Sequence, residues 1–275
     1  GVTVIDGSTQ TSNQGDTNAT GPEIELSGYT LNFTGVGLNF QSGAGGSSVN
    51  AIGINKFLTQ IQLNSLNGFT LTRSYLGTTI NGLASASPTG TRQHAGVEAN
   101  ASTNVDLGTN RSTGNVFGGM GTSYPDAGIV LYCNVAPVKA IRIKGNNLGI
   151  GSDGSTAIPN INYGIYVNGE CNVTVGGDDV SERNIISTGR RGIRVELSKS
   201  PNSTLKIKNN FFGTDVTGQL DRSFSQGAMH FYVGFSVSGP QDPIIIAHNL
   251  FAFGTTIVDI RTAREMYVEN NTFIG

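Results

Sequence analysis

The chain has 275 residues, a net charge of −2 and only 13% charged residues, so its charge favours no nucleic-acid partner. No run of 18 apolar residues predicts a membrane-spanning helix. Regularly spaced Val, Ile, Leu and Phe exclude a disordered chain, and the 39 glycines, with abundant Asn, Ser and Thr, favour a turn-rich all-β protein.

The first sixty residues predict short strands of irregular spacing. Strand-like segments are VTVIDG, EIELSG, GLNFQSG and AIGINKF. A polar stretch at 8–22 separates the first two segments, and we expect it to form a surface loop. We expect a single domain over residues 1–275, with irregular first coils at 1–60 and regular coils at 61–275.

Three short phrases recur from residue 61 onward. The first is a glycine followed by an apolar alternation, starting at residues 96, 128, 164, 192 and 227, with a weaker copy that starts at Thr256; the intervals are 28 to 36 residues. The second is an alternating strand that leads to a glycine eight residues later, as in FTLTRSYLG, IRIKGNNLG and LKIKNNFFG, with a longer variant in MYVENNTFIG. The third is NVDLG at Asn104 and NVTVGG at Asn172. Such periods are typical of solenoids, propellers or arrays.

These repeats predict a single-stranded, right-handed parallel β-helix of about eight to ten coils, counted from the phrase starts. Strands of three to five residues exclude helical repeats, and the chain lacks the regular tight hairpins of a propeller. In the stretch 205–213, we expect Leu205 and Ile207 to face the core and Lys206 and Lys208 to face outward. Asn210 should bond backbone or an asparagine of the next coil, and Gly213 should adopt a positive φ.

The segments VIDGSTQ, GINKF, GIYVNGECNVTVGGDDVSERNIIS and NNFFGTDVTG resemble those of bacterial extracellular right-handed β-helix repeat proteins. The resemblance covers nearly the whole chain and implies a secreted or cell-surface setting. The chain departs from the family pattern in the aromatic-rich HFYVGFSV segment and in ending at NTFIG, where a further loop would be expected. Both termini therefore look like open coils, either of a fragment of a longer solenoid or of ends that pair with a neighbouring chain.

Acidic and basic residues are the features of the sequence that would support an enzymatic function. RIK at 142–144 and DD at 178–179 resemble motifs of pectin-degrading β-helix hydrolases, but NTD and GHG are missing and the order is reversed. A lyase would need an acidic Ca²⁺ site, for which Asp178, Asp179 and Glu182 are candidates, with Arg190 or Arg191 as the base. A solvated turn is the simpler interpretation of these acids, and we predict no other cofactor.

Two surface patches are candidates for binding a polysaccharide. Arg142, Lys144, Lys206 and Lys208 should form a basic stripe on one wall, with Thr174 between them. On another wall, Tyr166 and Arg194 should project from adjacent coils with Tyr132 nearby, an arrangement that could stack on sugar rings or hold an anionic glycan. Charged residues on outer strand faces also serve simply to keep a β-protein soluble.

The two cysteines follow the glycines of successive coils. Cys133 lies five residues after Gly128, and Cys171 lies seven residues after Gly164. A disulfide between adjacent coils is geometrically feasible, and two separate buried thiols are the alternative.

Taken together, the sequence predicts a secreted or cell-surface structural or adhesive module without catalysis. It would assemble end to end, as in a filament, and bind glycans through either patch. The alternative is a polysaccharide-active enzyme, a lyase or a glycoside hydrolase, with a site built from loops.

Overall fold

The computed structural model describes residues 1–29, 34–87, 93–121, 125–133, 140–169, 172–197, 204–233, 243–254, 258–261 and 265–275. Its regular structure is almost entirely β. One short helix, α1 (Ser8–Gln14), follows the first strand.

The strands are short, between two and seven residues. In chain order they are β1 Val4–Asp6, β2 Ile24–Ser27, β3 Val36–Phe40, β4 Ser47–Asn50, β5 Ile52–Asn55, β6 Thr59–Asn64, β7 Asn67–Thr72, β8 Tyr75–Leu76, β9 Ala95–Asn100, β10 Thr103–Leu107, β11 Val116–Phe117, β12 Ala127–Cys133, β13 Ile141–Ile143, β14 Asn147–Leu148, β15 Tyr163–Gly169, β16 Val173–Gly176, β17 Ile185–Ile186, β18 Arg191–Leu197, β19 Leu205–Lys208, β20 Phe211–Phe212, β21 Met229–Val233, β22 Ile244–Ala247, β23 Leu250–Ala252, β24 Val258–Arg261, β25 Met266–Glu269 and β26 Thr272–Ile274.

The strands form three sheets, and all the strand pairs within them are parallel. Over the described residues, sheet A runs β1-β4-β7 and onward by threes to β25, sheet B runs β2-β5-β8 to β26, and sheet C runs β3-β6-β9 to β24. Neighbours in each sheet are therefore three strands apart in the chain. Successive turns of the chain stack on one another, as expected for a parallel β-solenoid.

The predicted core is confirmed. Ile143, Ile165, Ile193 and Ile207 are all 0% exposed and belong to one apolar cluster that runs between the sheets. Their outward-facing neighbours are charged or aromatic, because successive side chains of a strand point to opposite faces.

The repeated phrases occupy equivalent positions. The glycine-led phrase forms sheet C, since Val97, Ile129, Ile165 and Ile193 are aligned in register. The second and third phrases both lie in sheet A, where Phe69 is paired with Val105 and Val105 with Ile141. They are thus one structural unit, although the sequence presents them as two.

A ladder of asparagines, all buried except the last, follows the turn from sheet A into sheet B. Asn115, Asn146, Asn184, Asn210, Asn249 and Asn271 each bond the next, with Nδ2 to Oδ1 distances of 2.9 to 3.1 Å. Both bonds predicted for Asn210 are present. Its Nδ2 donates to the side chain of Asn249 on the next coil and to the backbone carbonyl of Val175, the latter at 2.9 Å. Gly213 has the predicted positive φ, at 74°.

The stretch 8–22 is exposed over most of its length, as expected of a surface excursion, but its first half is helical. Helix α1 begins after Gly7 and ends before Gly15, and none of its residues is buried. It was missed because it carries no apolar periodicity. The Asp6 carboxylate bonds the Ser8 amide at 3.0 Å and the Ser8 hydroxyl at 2.6 Å, which fixes the start of this turn.

Candidate binding surfaces

The outer face of sheet C carries the predicted aromatic and arginine patch. The register places Tyr166 beside Arg194, Arg194 beside His230, and His230 beside Asp259, on four consecutive strands. The Tyr132 and Tyr166 rings meet edge to face at 6.2 Å. The three predicted side chains therefore lie close together on this face, and His230 and Asp259, which were not expected there, lie beside them.

A continuous polar network joins these side chains. The Tyr166 hydroxyl donates to one carboxylate oxygen of Glu196 at 2.6 Å, and Arg194 Nε donates to the other at 2.7 Å. Arg194 also reaches His230 Nδ1 at 3.1 Å. The network is held within the wall, because each of its strands is fixed by the sheet.

The position of the proton on neutral His230 follows from its partners. Arg191 Nη1 and Arg194 Nη1 both contact its Nδ1, at 2.9 and 3.1 Å. Guanidinium groups only donate, so Nδ1 accepts and the proton lies on Nε2. That nitrogen faces the Asp259 carboxylate at 3.4 Å.

The Tyr166 ring of this patch is covered by neighbouring side chains. Tyr163 and Tyr166 pack with Ala95, Ala127 and Val130 in a second apolar cluster on the outer side of sheet C, and Tyr166 is only 2% exposed. Neither ring face is open to stack on a sugar in this structure. The side chains of this cluster that reach solvent in part are those of Tyr132, Arg194, Glu196 and Asp259.

A second polar cluster on this face was missed by sequence reasoning. His94 Nδ1 lies 2.6 Å from Asp126, which is fully buried, and its Nε2 lies 3.1 Å from Glu98. Burial lowers the pKa of His94, but the bonds to Asp126 and Glu98 outweigh it and raise the pKa to about 9. The imidazole is therefore charged at neutral pH. His94, Glu98 and Asp126 span 32 positions of the sequence and match no recognised motif. Their proximity is therefore visible only in the folded structure.

The basic stripe lies on sheet A as predicted, with Arg142 paired to Thr174 and Thr174 to Lys206. Most of its charge is matched. Arg142 forms a two-bond pair with Asp106, one bond being from Nη2 at 2.7 Å. Lys144 contacts Glu182 at 2.6 Å and Lys208 contacts Asp178 at 2.8 Å. Of the four cations, Lys206 alone pairs with no carboxylate among the described residues.

The acids proposed as calcium ligands have structural roles. Asp178 and Glu182 pair with the lysines just named, while Asp179 caps a short 3₁₀ helix by accepting the Ser181 amide at 2.7 Å. Arg191 lies on sheet C, bonded to His230, and Arg190 bonds Gln226 at 2.7 Å. Within the described part of the chain, no group of three His, Cys, Asp or Glu side chains is arranged to hold a metal ion.

Cys133 ends β12, and its register partner on β15 is Gly169, two residues before Cys171. Cys133 is not a free thiol. Cys171 lies outside the described residues, so its role stays a prediction of the sequence.

Comparisons with known proteins found no match to this chain among protein-family models, curated proteins or solved structures. No described helix is long and apolar enough to cross a membrane.

Proposed function

We propose that this chain is a structural module of a right-handed, single-stranded β-solenoid with about eight to ten coils, which assembles end to end. Right-handed winding is supported because crossover connections between parallel strands are almost always right-handed. The sheets of eight and nine strands support the coil number, since each turn contributes one strand to each sheet.

The observation that carries the proposal is the state of the last turn. β25 and β26 are each paired on one side only among the described strands. These two strands carry a group of exposed apolar side chains: Tyr267, Val268, Phe273 and Ile274 are 42 to 53% exposed. An uncovered strand edge with apolar side chains is a template for further strand pairing.

Two internal ladders reach that edge. Phe212, Phe251 and Phe273 are stacked, with centroids 5.0 and 5.4 Å apart. The asparagine ladder ends at Asn271, which accepts two bonds from Asn249. An incoming strand with an aromatic and an asparagine would extend both ladders, which favours a β-solenoid turn as the partner.

The opposite end supports a second copy of this chain as that partner. Val2, Val4 and Ile24 of the first turn are exposed, at 66, 69 and 38%. Helix α1, the only α-helix of the described residues, buries none of its own side chains and so does not cover these apolar groups. Head-to-tail contacts between unlike ends do not close on themselves and generate filaments.

Sedimentation velocity and negative-stain electron microscopy test this proposal. We expect concentration-dependent rods for the native chain and monomers for Phe273→Asp, because a charge in the new interface would be buried without a partner. Leu220→Asp, which alters an apolar residue exposed to a similar degree away from both ends, should assemble like the native chain. A chain that stays monomeric at all concentrations, or a Phe273→Asp variant that still forms rods, would contradict the proposal.

An extracellular or cell-surface setting is part of the proposal, supported by the sequence resemblance to secreted β-helix repeat proteins. Within that setting, the sheet C patch and the basic stripe are proposed to bind polysaccharide weakly, because their charged groups are mostly engaged with one another. Loss of binding to an acidic polysaccharide on Arg194→Gln would support the role of the sheet C patch.

A polysaccharide-active enzyme is the second candidate, favoured by one observation. Glu196 and Asp259 flank Arg194 and His230 on the outer face of sheet C, so acids and bases share one wall. Turnover of uronic-acid polymers by the native chain, lost in both Glu196→Gln and Asp259→Asn, would favour this candidate over the structural one. EDTA would further separate a calcium-dependent lyase from a hydrolase.

A further inference from the structure

A cavity of about 430 Å³ lies outside the corner where sheet A turns into sheet B. Residues 7–23 form one side of it, and the loops around Arg111 and Gly145 form another. Its size falls in the range of about 300–1,000 Å³ that is typical of small-molecule sites. The cavity is remote from the sheet C patch and shares no residue with the basic stripe.

Arg111 is the principal charge in the wall of this cavity. Its Nη1 donates to Asn147 Oδ1 at 2.7 Å and to the carbonyl of Gly145 at 3.2 Å, and its backbone amide bonds Ser181 at 2.7 Å. The guanidinium is thereby fixed in place. Its Nε and Nη2 donate to no acceptor of the described residues, which leaves one edge of the fork available.

No carboxylate matches the charge of Arg111 among the described residues. Burial, and to a lesser extent the nearby Arg183, lower its pKa, which is the signature of a cation held without a counter-charge. The free Nε–Nη2 edge is the one that pairs with a carboxylate through two parallel bonds.

The remaining wall is rich in hydroxyl and amide groups. Tyr75, Ser112, Ser152 and Asn147 line the cavity together with Arg73. The Tyr75 ring is held between Gly21 and Gly82, and its hydroxyl donates to the Thr20 carbonyl at 2.6 Å, which leaves its oxygen able to accept. The Ser152 hydroxyl donates to Asn81 at 2.8 Å and can accept in the same way.

One acid also lines the cavity, and it is engaged elsewhere. The Glu23 carboxylate accepts the backbone amides of Thr17 and Asn18, each at 2.8 Å. With Arg73 and Arg111 both in the wall, the site keeps a positive balance.

We propose that this cavity binds a small hydroxylated carboxylate the size of a single sugar acid, with the carboxylate on the free edge of Arg111. The ligand's hydroxyl groups bond the hydroxyl and amide side chains around it, and Arg73 stands at the exposed side of the site. This site goes beyond the proposed structural function and does not depend on end-to-end assembly.

Calorimetric titration with galacturonate, galactose and inorganic phosphate tests the proposal. We expect galacturonate to bind at least tenfold more tightly than either of the others, since only it offers both a planar carboxylate and hydroxyl groups. Equal binding of galactose, tighter binding of phosphate, or no binding of galacturonate at millimolar concentration would each overturn the proposal.

Two variants assign any binding to the cavity. Arg111→Gln should weaken galacturonate binding at least tenfold, whereas Arg190→Gln, the matched change of an arginine on another face, should leave it unchanged. Because Arg111 also holds its loop, Thr11→Trp provides a second test: Thr11 is an exposed residue of α1 that lines the cavity, and the indole would fill the space. Binding that survives Thr11→Trp unchanged would place it elsewhere and overturn the proposal.

Discussion

The side-chain amide of Asn146 donates to Asn184 Oδ1 at 3.0 Å, linking two turns that lie 38 residues apart in the chain. The same oxygen accepts the backbone amide of Asn146 at 2.9 Å. Asn184 in turn donates to the carbonyl of Ile143 at 2.8 Å and to Asn210 at 2.9 Å. A single buried side chain thus satisfies polar groups on three levels of the stack.

Replacing this asparagine should be costly. Asn184→Ala removes the acceptor of the Asn146 backbone amide and the donors to the Ile143 carbonyl and Asn210 Oδ1, while the Asn146 side-chain amide keeps only its bond to the Leu107 carbonyl. A polar group left without a partner in a site closed to water costs about 1–3 kcal/mol. We expect a loss of at least about 3 kcal/mol, measured as a shift of the urea midpoint at constant slope.

Asn271 provides the matched control for that experiment. It accepts two bonds from Asn249 but donates only to Ile246 within the described residues, and it is partly exposed. Asn271→Ala should therefore cost clearly less than Asn184→Ala. Equal costs would show that the ladder stabilises the stack no more in its interior than at its end.

Gly149 should tolerate no side chain. Its φ is +78°, and an added Cβ would lie 2.0 Å from the Ser187 carbonyl oxygen on the next turn. The backbone strain alone costs about 1–2 kcal/mol, and the clash adds to it, so Gly149→Ala should lower stability by more than about 2 kcal/mol. Gly43→Ala meets no atom within 4 Å and should be close to neutral in the same thermal unfolding assay.

Much of this architecture could be predicted from the sequence, and the reason is periodicity. Alternation in 205–208 indicated which side chains enter the core, and the repeated glycines placed Tyr166 beside Arg194. Sheet B was not predicted as a sheet, because strands such as Phe211–Phe212 are too short to show a period of two.

The details of the surfaces could not be predicted. Neutralisation of Lys144 by Glu182 depends on how a loop 38 residues away folds back onto sheet A. The burial of Tyr166 depends on packing across neighbouring strands, which alternation alone does not reveal. Arg111 belongs to no motif, and only the stacking of its loop on Gly145 makes it part of a cavity wall.

The stability of the protein should depend on pH through His94. Its pKa is raised from 6.5 to about 9 in the folded state, so its contribution is fully present below pH 6.5 and is lost as the pH rises through 9. Unfolding midpoints measured from pH 6 to 10 should fall for the native chain. They should fall less for His94→Asn, which cannot carry the charge held by Asp126 and Glu98.

His248→Asn is the control for this series. His248 is exposed and has a positive φ of 58°, a conformation that asparagine also adopts readily. Its pH profile should match that of the native chain. A native profile that is flat between pH 6 and 10 would contradict a stabilising charge on His94.

The basic stripe should bind polyanions more tightly once its partner acids are removed. Asp106→Asn, Asp178→Asn and Glu182→Gln together leave all four cations of the stripe unmatched. We expect this triple variant to elute from a heparin column at clearly higher salt than the native chain, because the attraction is electrostatic and screened by ions.

A second triple variant separates a local from a global charge effect. Asp16→Asn, Glu25→Gln and Asp221→Asn change the net charge by the same amount at other positions of the surface. Its retention should remain near that of the native chain. If both triple variants are retained equally, net charge rather than the stripe governs binding.

The central claim is that successive turns stack in register along one axis, and pulsed electron resonance between spin labels measures this directly. On sheet A, Thr70 and Lys206 are four register steps apart, and Thr70 and Tyr267 are six. Both label pairs are introduced in a chain whose Cys133 and Cys171 are changed to Ser. With about 4.8 Å per step, the pair Thr70→Cys and Lys206→Cys should give a backbone separation of about 19 Å. The pair Thr70→Cys and Tyr267→Cys should give about 29 Å. Separations that fail to grow by about 10 Å from the first pair to the second would contradict the stacked parallel arrangement.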